Sequence, residues 1–214
     1  MSMSSTFKKS SRPRSWVTSQ YFIIEHQNSD VGQITAPSVY LGAVAQRTSR
    51  IRFGTMIYQL PFYNPIRIAE EAAIVDHISE DRLVFGVGRS SFLESYQGYN
   101  IDYGESRGRF AESLEIILKA WGDGPFSYEG EFYQFHDVNL VPKPYQKPHP
   151  PVRIAEESVN TFALTGSLGF PIFIRHQMPI PQLQELLKQY RDARHLAGFS
   201  GPNDVILQIG AYRG

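Results

Sequence analysis

Arg89 stands directly after Leu83-Val84-Phe85-Gly86-Val87-Gly88, so a guanidinium follows an apolar run too unbroken for a half-exposed strand. The glycines allow a sharp turn or the close approach of a ligand. In parallel α/β proteins ligands gather at the carboxyl ends of strands. Two readings of Arg89 follow: an anion binder at such an end, or a solvated residue after a buried strand. Three other apolar runs end in polar groups, at Glu25-His26, Glu157-Ser158 and Arg175-His176. Arg107, at the start of a helical pattern, could fold back towards Arg89, and two guanidinium forks suit a phosphate. Ser158 precedes another helix, where its hydroxyl either caps the helix or joins the free N–H groups in binding phosphate. His26, beside a carboxylate, is either a base or donor for chemistry near neutral pH or a structural histidine. The six histidines lack metal-ligand spacing, and no metal site is expected.

The elements that must position these groups alternate. Apolar runs at 19–24, 50–58, 83–87, 152–155, 170–174 and 204–209 read as strands. Helical periodicity covers 36–47, 66–78, 106–121, 160–168 and 181–197, with Phe110, Leu114, Ile117 and Leu118 marking one amphipathic face. Phe92, Tyr96, Tyr99 and Tyr103 lie in a long loop before the third helix, which reads as a lid or as an ordinary aromatic surface. Glu129-Gly130 sits between two short β-patterns, a hairpin signal. Because it precedes a strand, it is expected on the face opposite the strand carboxyl ends, without a chemical role. Six strands joined by five helices mean parallel βαβ units. An open doubly wound sheet also fits, but no Gly-rich dinucleotide turn follows the first strand, which favours a barrel.

Totals narrow the functions. In 214 residues, 21 basic groups balance 21 acidic ones, so nucleic acid and anionic membranes are not implied as partners. With no cysteine, disulfides, thiolate catalysis and Cys-ligated metals are excluded. No apolar run approaches the ~20 residues of a membrane span. Residues 1–15 read as a disordered or atypical tail rather than a targeting segment, with 16–214 as the barrel domain.

Taken together, certain segments resemble the bacterial luciferase-like flavin-dependent monooxygenases. They are Glu25-His26-Gln27, residues 47–55, 65–71 and 81–89, Glu105-Ser106-Arg107 and Val141-Pro142-Lys143-Pro144, and they keep the family's order. The resemblance implies a TIM-type (β/α)8 barrel that binds reduced FMN and oxidises an organic, aldehyde-type substrate with O2, in the cytoplasm. It implies a separate flavin reductase as partner and admits a homodimer. It makes His26 the catalytic histidine beside the flavin ring. Arg89 and Arg107 become the phosphate clamp, with Glu157, Ser158 and Thr161 on its other side, which favours phosphate binding over a mere cap at Ser158. Met56-Ile57 falls where the family has a non-prolyl cis peptide under the isoalloxazine. Gln27 stands where the family often has a second histidine.

The same resemblance implies an incomplete barrel, with about six parallel strands present and the first and last missing. Two alternatives accompany it: an F420-dependent hydride-transfer enzyme on the same barrel, and a non-catalytic, degenerate flavin-binding fragment.

Overall fold

The computed structural model describes residues 20–28, 34–156, 159–175, 178–199, 201 and 205–208. Six strands form one parallel sheet in the order β1 (Gln20–Ile23), β2 (Arg52–Thr55), β4 (Leu83–Gly88), β7 (Val152–Glu156), β8 (Ile172–Arg175) and β9 (Val205–Gln208). A two-residue strand, β3 (Tyr58–Gln59), also pairs with β4. All six expected strands are present, with one division. The run at 50–58 is not continuous: β2 pairs with both β1 and β4, the chain then passes a cis Met56–Ile57 peptide, and β3 pairs with the end of β4.

The helices are α1 (Pro37–Arg47), α2 (Pro65–Ser79), α3 (Leu93–Gly98), α4 (Ser106–Trp121), α5 (Phe162–Ser167) and α6 (Ile180–Leu196). Proline opens α1 and α2, where its missing N–H costs no bond. In α2 the Asn64 side chain accepts from Ile66 N and Arg67 N at 3.0 and 3.2 Å, satisfying two of the unpaired N–H groups of the first turn. α3 lies within the aromatic segment where the sequence indicated only a loop, because six residues are too few for a periodic signal.

Alternation divides each strand between a helix face and a concave face. Tyr21, Ile23, Phe53, Leu83, Phe85, Val87, Val152 and Ile154 pack with α1, α2 and α4 in the main core. Ile172 and Ile174 pack with Leu183, Leu186 and Tyr190 of α6. Every residue of β4 is buried, as its unbroken apolar pattern requires. The concave face carries Phe22, Gly54, Gly86, Gly88 and Phe173. The Phe22 and Phe173 rings meet edge to face with centroids 4.9 Å apart, although three strands separate β1 from β8 in the sheet. At about 4.8 Å per strand a flat sheet would hold them roughly 19 Å apart. The sheet is therefore strongly curled, as the wall of an incomplete barrel.

The hairpin β5 (Phe126–Glu129) and β6 (Gln134–Val138) departs from its expected place. Its tip is carried up the first half of α4, where Glu112 accepts from the backbone N–H groups of Glu131, Phe132 and Tyr133 at 2.8, 3.1 and 3.2 Å. Tyr133 Oη donates to Tyr63 O at 3.4 Å, on the side where the strands end.

Candidate functional site

Arg89 leaves the end of β4 and its Nη1 donates to Ser106 Oγ at 3.0 Å, at the first residue of α4. Among the described residues it forms no ion pair. Glu156, at the end of neighbouring β7, lies close enough for the Arg89 charge to oppose the rise that burial imposes on its pKa. Its two carboxylate oxygens are taken by the hydroxyls of Thr161 and Thr165 at the start of α5. Thr161 is thus brought to this corner by holding Glu156. Glu157 and Ser158 lie outside the described residues. Arg107 is exposed and, among the described residues, forms no hydrogen bond or ion pair; it joins the corner only as Ser106's neighbour.

His26 follows β1 and is half-buried, its ring edge to face with Phe92 at 4.8 Å. Its Nδ1 is buried and has no hydrogen-bond partner among the described residues. Burial first, and then the charge of Arg175, hold its pKa below 6.5, so the imidazole is neutral near pH 7. The neighbouring carboxylate does not touch it. Glu25 points the other way, because side chains alternate along extended backbone, and engages Gln27, Gln59 and Tyr63.

Met56–Ile57 lies between β2 and β3. Met56 N donates to Ile23 O at 2.7 Å, and Ile57 Cδ1 occupies the space a side chain at Gly88 would need, 2.4 Å from its Cβ position. The aromatic segment closes over this mouth. Ser95 Oγ donates to Gln27 O at 2.8 Å, Tyr96 is buried against Phe62 and Tyr103, and Tyr99 stacks on Phe62 at 5.0 Å. Sequence reasoning missed Ser106 and Glu156, although both flank residues it chose. It also missed Gln59 and Tyr63, whose partner Glu25 is far away in sequence.

Residues 19–212 match the family model described as luciferase-like monooxygenase. The oxygenase component of the flavin-dependent trigonelline monooxygenase of Acinetobacter baylyi is 31% identical over 173 residues, 79% of this chain and 48% of that protein. The monooxygenase RslO1 of Streptomyces bottropensis superposes with a TM-score of 0.83 at 30% identity, covering 87% of this chain and 58% of its own. The oxygenating constituent of 3,6-diketocamphane monooxygenase from Pseudomonas putida, in complex with FMN, superposes at 0.79 with 22% identity, over 88% and 56% of the two chains. This chain spans about half the length of the curated relatives it matches. A family match over most of the chain, on a curled parallel sheet whose strand ends form the candidate site, makes this protein a member of the luciferase-like monooxygenase family.

Proposed function

We propose that this chain carries the reduced-flavin site of a flavin-dependent monooxygenase, with the FMN phosphate on Arg89 and an organic substrate oxidised by O2 beside His26. The observation that supports this most is the state of Arg89. It points to the first turn of a 16-residue helix, spends one donor on Ser106 and forms no ion pair among the described residues. A guanidinium has five N–H donors, so four are left for an anion. The helix's own N–H groups and dipole add to the attraction.

The rest of the mouth fits the group. Gly88 keeps the floor low beneath Ile57, and His26 Nδ1, just past the end of β1, is buried with no hydrogen-bond partner among the described residues. When bound, reduced flavin supplies the electrons for oxygen chemistry on the organic substrate. Arg89 and Ser106 would hold and orient its phosphate, with Arg107 adding charge from the same turn. His26, neutral near pH 7, can accept a proton at Nδ1. Phe92 and α3 cover it and exclude water. That the trigonelline relative is an oxygenase component supports a separate reductase as the source of FMNH2.

Titrating the chain with FMN and with riboflavin tests the reading. Arg89→Ala should weaken FMN roughly 10- to 100-fold, from about 1.5–3 kcal/mol for a charged hydrogen bond, and leave riboflavin unchanged. FMN binding that is the same in both proteins would overturn the phosphate site.

A further inference from the structure

The parallel ladder between β1 and β2 ends at Ile23 and Thr55. Beyond it β3 pairs with β4, and side chains take over the stitching to the β1 segment. Gln59 N donates to Glu25 Oε2 at 3.0 Å, and Gln59 Nε2 to Glu25 O at 2.6 Å. Tyr63 Oη donates to Glu25 Oε1 at 2.6 Å, and Gln27 Nε2 reaches the same oxygen. A single carboxyl, 1% exposed, therefore joins the segment bearing His26 to the segment bearing Met56–Ile57.

We propose that Glu25 is a positioning residue and a proton-dependent latch: protonated, it holds the His26 segment against residues 56–59, and its ionisation loosens that hold. The inference uses the flavin reading only for what the latch positions. Among the described residues, the groups facing Glu25 carry no positive charge. Tyr58 comes from β3, its hydroxyl against Ser38 of α1, Tyr63 from the turn after it and Tyr99 from the end of α3. Glu71 of α2 acts on Tyr58, and His26, next in sequence, is neutral near pH 7.

An ionised Glu25 would thus rest on dipoles alone. Burial pushes its pKa up to about 7, against partial relief from Tyr63, Gln59 and Gln27. The sign follows from linkage: an acid weaker in the closed state than in water favours any opening that hydrates it once it ionises. The closed arrangement is at full strength below the ordinary pKa of 4.5. It weakens as pH rises through 7 and levels off about one unit above.

Amide hydrogen exchange on the flavin-free full chain reads this directly. Corrected for intrinsic rates, protection of residues 23–27 and 56–59 should fall about tenfold from pH 6 to pH 8 and level off above. Glu25→Gln, which keeps the shape and removes the titration, should give flat protection over that range. In Tyr63→Phe, which removes a bond that favours the carboxylate, the midpoint should move to higher pH. A flat wild-type profile, an unchanged pH dependence in Glu25→Gln, or an unmoved midpoint in Tyr63→Phe overturns the latch. FMN affinity, measured in parallel, should follow the same pH profile. Absence of FMN binding at every pH counts against the flavin site, while exchange still decides the latch.

Discussion

At the scale of single residues, two glycines show how position decides cost. A Cβ at Gly86 would sit 1.9 Å from Thr55 O and 2.7 Å from Phe173 Cε2. The carbonyl belongs to a strand that cannot shift alone, since Thr55 Oγ1 also bonds Gly86 O at 2.7 Å. Gly86→Ala should destabilise by at least about 1–3 kcal/mol, as overpacking does. Gly42, inside α1, has nothing within 4 Å of its Cβ position, and Gly42→Ala should stabilise by about 0.5–1 kcal/mol. Urea midpoints of the two variants should move in opposite directions. The glycines of 86–88 were legible in the sequence as points of close approach. That they admit Phe173 and Ile57 was not, because those contacts join distant strands.

At the scale of elements, the hairpin depends on one side chain of another element. Glu112 accepts three successive backbone N–H groups at its tip, and Arg109 lies over Phe132 with its guanidinium carbon 5.0 Å from the ring centre. Glu112→Ala leaves those donors to water and should cost about 1–2 kcal/mol. Exchange should quicken at Glu131, Phe132 and Tyr133 and remain unchanged in β7. Equal quickening throughout would mean that Glu112 supports the whole fold rather than the tip. The hairpin's existence was readable from Glu129-Gly130 and its flanking aromatics. Its docking was not, since Glu112 reads as one more exposed acid on an amphipathic helix. α3 was missed for a related reason: a single turn and a half is fixed by what it covers, through Ser95 on Gln27 and Phe92 on His26.

At the scale of the molecule, stability should carry the mark of the buried carboxyls. With its pKa raised to about 7, Glu25 contributes most below pH 4.5 and loses up to about 3 kcal/mol as pH rises through 7. Glu156 is shifted in the same direction. His26 acts oppositely: its lowered pKa means that its contribution is present above pH 6.5 and is lost as pH falls through its folded value. Urea unfolding should therefore show a more stable wild type at pH 6 than at pH 8, and Glu25→Gln should narrow the gap. A gap of the same size in the variant would place the pH dependence elsewhere.

Alternating apolar runs and helical periods, set by backbone geometry and burial, were enough to determine six parallel strands and their order along the chain. Family motifs singled out Arg89 and His26. Tertiary structure alone decided how the sheet curls, through Phe22 on Phe173 across three strands. It also decided which groups share the mouth: Arg89 with Ser106 and Glu156, and His26 with Phe92. Hydrogen bonding and desolvation depend on what surrounds a side chain in space. For that reason Glu25 reads in sequence as the neighbour of His26, and only the fold turns it away to join that segment to Gln59.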